Sequence, residues 1–269
     1  MGMDFEQIRN IQNEAEQVNR VYDLFREDSR LTHSRAAQVE FLTTVQYIEK
    51  YLRPGARILD LGAGTGAYSL YFAQKGYEVD AVELADNNIR AFREKLTPEL
   101  PVRLVQGNAL DLSRYADASF DLVLCFGPLY HLHDSKNRDR CIQDALRVCK
   151  PDGILFFAFI NHDAVFLSEL SYNQDYFDNG DYDHETLRLN DFPFVFHTVA
   201  ECREMLTKNG LQLLHEIASD GASELMEDRI NAMTETGYAQ YLRYHFYTCE
   251  KPEMLGRSNH LLFVGKKNN

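Results

Sequence analysis

The chain has 269 residues, 45% of them hydrophobic, enough to bury a full core in one large domain or one domain with elaborations. Its 41 acidic and 28 basic side chains leave a formal charge of −13, and no basic run exceeds Lys266-Lys267. That balance argues against a grip on nucleic-acid phosphates and favours a small, neutral-to-cationic partner. Five cysteines (Cys125, Cys141, Cys149, Cys202 and Cys249) include no Cys-x-x-Cys spacing, which fits free thiols in a reducing compartment. Met1–Arg9 lacks the apolar centre of a signal peptide, and Glu6 stands where an N-acylation signal after Met1-Gly2 needs Ser or Thr. No apolar run reaches membrane-spanning length, so a cytoplasmic protein with no membrane contact is expected.

Apolar residues at three- and four-residue spacing predict helices over 4–28 (Ile8, Ile11, Val18, Val21, Leu24 or Phe25) and 35–52 (Val39, Leu42, Val45, Ile48, Leu52). Arg53-Pro54-Gly55 stops the second. Strands at 57–61, 78–83, 102–106, 120–125 and 153–160 then alternate with helices at 66–75, 86–96 and 135–149, a pattern that predicts a parallel sheet covered on both faces. The alternation pauses at 161–197, where seven aromatics from Tyr172 to Phe196 sit among acids; an inserted lid is expected, because disordered linkers are poor in aromatics. A helix at 198–209, a strand at 211–218, a helical insertion at 222–248 and a strand at 259–265 complete the chain.

The most informative stretch is Arg57-Ile58-Leu59-Asp60-Leu61-Gly62-Ala63-Gly64-Thr65-Gly66, a buried-strand run carrying an acid and ending in three alternating glycines. Glycines there allow a tight turn and close approach of backbone to a ligand, and the helix that follows offers free amides. Gly62-x-Gly64-x-x-Ala67, with Glu83 about 20 residues on, also fits the dinucleotide fingerprint, so a nicotinamide enzyme is one reading. Asp60 separates the two: a carboxylate beside the loop suits a cationic ligand and is unwelcome beside a pyrophosphate.

Asp60-Leu61-Gly62-Ala63-Gly64-Thr65-Gly66 resembles the first motif of the class I S-adenosylmethionine-dependent methyltransferases, Asp/Glu-x-Gly-x-Gly-x-Gly, at every fixed position. Gly107-Asn108-Ala109-Leu110-Asp111 looks like the family's third-strand Gly-Asp-Ala, with Asn108 in place of the acid that faces adenine and Asp111 as a nearby substitute or a cap. Phe120–Cys125 resembles the fourth strand, and Arg147–Gly153 the approach to the fifth, with Cys149 and Asp152 as departures. The resemblance covers about 40–160. It implies a Rossmann-like α/β fold with a seven-stranded, mostly parallel sheet in the order 3-2-1-4-5-7-6. One domain over 1–269 is expected: a helical cap (1–53), a cofactor-binding half (54–160), the lid (161–197) and a closing half (198–269).

The same resemblance implies S-adenosylmethionine as methyl donor and S-adenosylhomocysteine as product. It assigns cofactor binding to Asp60, Gly62, Ala63, Gly64, Thr65, Gly66, Glu83, Leu84, Asn108, Ala109, Phe126 and Gly127, with Glu83 facing the ribose hydroxyls. After the fourth strand comes Phe126-Gly127-Pro128-Leu129-Tyr130-His131-Leu132-His133-Asp134. Gly127 lacks the amide or carboxylate of nucleobase N-methyltransferases at this place, so a small-molecule acceptor is expected. His131 is the candidate general base, given a pKa near neutrality, and Tyr130 a substrate contact. Arg30 and His33 are candidates for the methionyl carboxylate, with a solvated turn as the plainer reading. No second cluster completes a metal site with His131, His133 and Asp134, so no metal is expected. His162-Asp163, His184 and His197 are weaker pocket candidates. Protein or RNA methylation, a non-catalytic cofactor sensor and an NAD-dependent oxidoreductase are the alternatives.

Overall fold

The computed structural model describes residues 4–25 and 27–268. The Met1-Gly2 start weighed for acylation lies outside them. Three helices lead in: α1 (Phe5–Arg9), α2 (Glu14–Leu24) and α3 (Arg35–Glu49). The expected single helix over 4–28 is thus broken, because polar side chains there satisfy helix ends. Asn10 Nδ2 donates to the Glu6 carbonyl (2.9 Å), and Asn13 Oδ1 caps α2 by accepting from the Glu16 amide (3.1 Å).

The sheet and its covering helices follow: β1 (Arg57–Leu61), α4 (Ala67–Gln74), β2 (Glu78–Glu83), α5 (Asp86–Lys95), β3 (Val102–Gln106), β4 (Phe120–Cys125), α6 (Ser135–Val148) and β5 (Cys149–Ile160). The lid segment carries α7 (His162–Tyr172) and α8 (Tyr176–Asn179), and the closing half carries α9 (Val199–Lys208), β6 (Leu211–Ala218), α10 (Glu227–Asn231), α11 (Glu235–Thr248), α12 (Pro252–Leu255) and β7 (His260–Lys267). The order is β3-β2-β1-β4-β5-β7-β6, with β7 antiparallel to both neighbours. Strands β1, β4, β5 and β7 form its middle, and Leu59, Val123, Leu155, Phe156 and Phe263 there are fully buried, as a sheet covered on both faces requires.

Five strand ranges match the expected ones; β5 starts earlier. Phe120 pairs with Cys149 and Leu122 with Ile154, so residues 150–153 bulge out of the ladder. Pro151, which has no amide to donate, is accommodated in that bulge, and Lys150 is tied to Asp121 (2.8 Å). The lid has a core of its own, Ile160, Val165, Tyr176, Tyr182 and Leu189, so most of its aromatics pack on one another. The 222–248 insertion packs Ile230 and Tyr238 on Ala36 and Val39 of α3, away from the glycine loop. All five cysteines are buried free thiols, and no described helix is long and apolar enough to cross a membrane.

Candidate functional site: a two-lobed groove at the strand ends

The carboxyl ends of β1, β2 and β4 open onto a groove, where ligands of open α/β sheets bind. The glycine loop is pinned by the Gly62 and Ala63 amides, which both donate to the Val82 carbonyl (2.9 and 3.1 Å). Gly62 has φ +73°, and a Cβ there would lie 2.6 Å from the Phe126 carbonyl oxygen and 2.8 Å from Pro128 Cδ. The first glycine therefore lets the β1 and β4 loops meet. Gly66 caps α4 and borders neither lobe of the groove: its missing Cβ is replaced by the Phe92 ring of α5. Its place among the expected ligand contacts is corrected to a packing role.

One lobe, about 620 Å³ including its open mouth, lies between α2 and the ends of β2 and β3. It takes Glu83, Leu84, Asn108, Ala109, Gly127 and His131 from the expected set. The other, about 570 Å³, takes Asp60, Ala63, Gly64, Thr65 and Tyr130, together with Arg30 and Tyr68. Gly62, Phe126 and Tyr22 line both, and so form the neck between them.

Glu83 is buried, and burial raises its pKa against the hydrogen bonds that lower it. Its Oε2 accepts from the Gly64 amide (2.8 Å), and its Oε1 from the Ala85 amide (2.8 Å) and Asn88 Nδ2 (3.2 Å). A carboxylate offers about four acceptor positions; three are filled, so Glu83 has little left for both hydroxyls of a ribose unless the loop yields. Asp60 is 1% exposed. Ser69 Oγ donates to its Oδ2 at 2.6 Å, whereas Oδ1 is buried with no partner. Burial lifts its pKa to about 6, with the Glu83 charge adding to the rise and Ser69 opposing it. An orphaned buried carboxylate oxygen at the edge of a cavity is the complement of an ammonium or sulfonium group.

Asn108 Oδ1 accepts from the Leu110 amide (2.9 Å), so its NH2 is the part left for a ring nitrogen. Asp111 is exposed, accepts from the Ser113 amide (3.1 Å) and lines neither lobe; it caps a turn.

The roof comes from the amino-terminal helices. Glu14 accepts from the His133 and Asp134 amides (2.8 and 3.1 Å) at the start of α6. Asn19 exchanges hydrogen bonds with Asp86 at the start of α5 (2.9 and 3.1 Å). These clamps stretch α2 across the groove and bring Tyr22 to the neck. Sequence reasoning missed Tyr22, although Val18 and Tyr22, four residues apart, share a helix face. Arg30 reaches the second lobe, held by Glu27 (3.0 Å) and by both oxygens of Glu40 (2.6 and 3.2 Å). His33 is exposed and hydrogen-bonds the Ser29 and Arg30 carbonyls, outside both lobes.

His131 is 6% exposed, and its Nε2 lies 2.9 Å from the Tyr22 hydroxyl. Burial, with His133 adding, pulls its pKa down to about 3. It is a neutral imidazole at physiological pH, where a near-neutral titration was expected. Burial pushes the Tyr130 phenol in the opposite direction, upward. Phe194 of the lid packs on both rings, at 5.2 Å from His131 and 5.9 Å from Tyr130. Asp134 caps α6. His162, His184 and His197 lie in lid packing, against Phe166, Tyr182 and Phe159 respectively.

Among the described residues, one group has the spacing of metal ligands: Glu40, Asp220 and His260, with ligand atoms within 4.8 Å of one another. Its members are already paired. His260 Nδ1 donates to Asp220 Oδ2 (2.8 Å), and Arg30 holds Glu40. Burial alone would depress the His260 pKa, yet Glu40 and Asp220 lift it to about 9, so the imidazole is itself a cation of the network beside Arg30.

Fold and groove together define a Rossmann-like α/β domain with an open groove at the carboxyl ends of its strands. A family model for a methyltransferase domain matches residues 59–157. The chain is similar to a ubiquinone biosynthesis O-methyltransferase of Paracidovorax citrulli, 34% identical over 114 residues (41% of this chain, 46% of that one). It is also similar to a glycine/sarcosine N-methyltransferase of Aphanothece halophytica, 27% identical over 127 residues (46% and 48%). Each match spans less than half the relative's length. A solved S-adenosylmethionine-dependent methyltransferase of Methanosarcina mazei shares the fold over 82% of this chain and 97% of that one, with a TM-score of 0.53 and 23% identity. Residues 59–157 thus carry a methyltransferase domain, and the fold of the chain is that of the class I S-adenosylmethionine-dependent methyltransferases.

Proposed function

We propose that the groove binds S-adenosylmethionine and that the protein transfers its methyl group to a small molecule by SN2 displacement, leaving S-adenosylhomocysteine. The observation that carries this reading is the orphaned Oδ1 of Asp60 in the lobe beyond the neck. A dinucleotide would bring a pyrophosphate to that carboxylate; this cofactor brings an ammonium and a sulfonium. When bound, the cofactor supplies a methyl group already activated on a positive sulfur.

In this reading Glu83 accepts from one ribose hydroxyl at its remaining position, Leu84, Asn108 and Ala109 flank the adenine, and Asp60, the 62–65 loop and Arg30 hold the methionyl end. Tyr130, with Phe194 behind it, contacts the acceptor. His131 orients the site through Tyr22 instead of taking a proton, because its burial leaves it a weak base. Alignment of the reacting atoms then supplies most of the acceleration. The oxygen and nitrogen acceptors of the two relatives leave the acceptor atom open; the charge of −13 favours a small molecule over nucleic acid. We further propose that cap, lid and insertion serve one catalytic unit working in the cytosol, a reading supported by the buried free thiols.

Calorimetric titration with S-adenosylmethionine, S-adenosylhomocysteine and NAD tests the reading. Micromolar binding of the two adenosyl compounds is expected; binding of NAD alone would sink it. The affinity for S-adenosylmethionine should also depend on pH through Asp60. Its carboxyl is protonated in the free protein below about 6, and only the ionised form attracts the cation. Affinity should therefore fall as pH drops through about 6, and Asp60→Asn should flatten that profile. A wild-type profile already flat from pH 5 to 8 removes Asp60 from the contact.

A further inference from the structure

We infer that Tyr22 is the residue that reads the charge on the cofactor's sulfur, and so distinguishes the methyl donor from the spent product. The inference rests on the cofactor assignment above. The sulfur is the atom that joins the adenosyl half of the molecule to the methionyl half. With the adenosine in the lobe of Glu83 and Asn108 and the methionyl chain in the lobe of Asp60 and Arg30, the sulfur has to sit at the neck. Three residues line both lobes. Gly62 has no side chain, and the Phe126 ring is buried at the floor against Tyr68, 5.1 Å between centroids. Among the described residues Tyr22 is the one polar side chain at the neck, and it arrives from the roof.

Its hydroxyl is set for a cation by the contact on its far side. His131 is neutral and buried. With the imidazole proton on Nδ1, the Tyr22 hydroxyl donates its own proton to Nε2, 2.9 Å away. The tilted ring contact, 5.3 Å between centroids, fixes the ring's orientation. A hydroxyl whose proton is engaged in this way turns lone pairs toward the neck. Oxygen lone pairs attract a sulfonium and its polarised methyl C–H groups, and the phenol face adds a cation–π attraction. A neutral thioether receives neither benefit. The neck therefore favours the charged donor and releases the product. Tyr22 is a positioning residue in this account, and His131 acts through it.

Calorimetry of the full chain with S-adenosylmethionine and S-adenosylhomocysteine, on wild type, Tyr22→Phe and His131→Ala, tests this. Tyr22→Phe keeps the ring face but removes the hydroxyl, and should weaken S-adenosylmethionine by about twofold to fivefold relative to wild type. S-adenosylhomocysteine should change less than about twofold, since the shape of the roof is kept. His131→Ala frees the hydroxyl proton and should move the ratio of the two affinities the same way. A parallel loss for both compounds makes Tyr22 a plain wall of the groove and overturns the inference, and so does an unchanged ratio. Failure of the wild-type protein to bind either compound overturns the cofactor assignment itself, an outcome separable from the other two.

Discussion

Replacing Glu83 by alanine is expected to lower the affinity for S-adenosylmethionine roughly a hundredfold, about 3 kcal/mol, the largest binding loss of any single site change considered. Two effects add. In the proposed reading the carboxylate's remaining acceptor position takes a ribose hydroxyl, and charge-assisted hydrogen bonds of this kind are the strong ones. It also organises the protein side of the groove: the Gly64 amide of the glycine loop, the Ala85 amide before α5 and Asn88 all donate to it. Removing it leaves these donors unpaired in a buried place and loosens the glycine loop. The binding loss should exceed that of Glu83→Gln, which keeps an acceptor for one of the amides. Calorimetric titration of both variants, with circular dichroism to confirm folding, checks it. Wild-type affinity in Glu83→Ala would falsify its place at the ribose.

Gly66→Ala should destabilise the fold by about 2–5 kcal/mol, whether or not cofactor is present. The backbone there has φ +88°, in the left-handed region where a Cβ is penalised. An added Cβ would also lie 2.6 Å from Phe92 Cζ. Phe92 is fully buried with Ala63 and Ala81 beneath α5, so it has no empty space to move into. For a chain of this size the loss corresponds to a fall in Tm of roughly 5–15 °C, readable by thermal denaturation. A Tm within a degree or two of wild type would mean that the α4 entry tolerates a side chain and that Gly66 has no packing role of this kind. The contrast with Gly62 is informative: there an added Cβ meets the Phe126 carbonyl and Pro128, so it strikes the groove itself.

Much of the scaffold is written locally. Strands β1 to β4 and β6 begin and end where their apolar runs do, because a strand buried on both faces needs uninterrupted apolar residues and its turns need glycine, proline or polar breakers. Two departures arise where distant chemistry intervenes. The early start of β5 depends on Phe120 pairing with Cys149, a contact across 29 positions of sequence that no local periodicity encodes. The split of α1 from α2 depends on which of several asparagines finds a backbone partner.

The site divides in the same way. Asp60, Gly62 and Glu83 sit at strand ends with motif spacing, so their convergence follows from the β-α-β connection itself. Asp111 and Asn108 look interchangeable in sequence, and only the path of the turn decides that Asn108 faces the groove while Asp111 points to solvent. For His131, sequence supplies the residue and not its ionisation: burial moves its pKa to about 3 and hands its Nε2 to Tyr22.

The α/β alternation, the glycine loop and the acids flanking it follow from local propensities and spacings within one β-α-β unit. Tertiary structure alone decided the roof. Tyr22 meets His131 across 109 positions. Arg30 is steadied by Glu40 of α3, and Glu40 in turn belongs to a network with Asp220 and His260 from the far end of the chain. Such contacts are fixed by helices docking on a finished sheet, a long-range packing outcome. That is why the floor of the groove can be read from a motif and the roof that Tyr22 brings to its neck cannot.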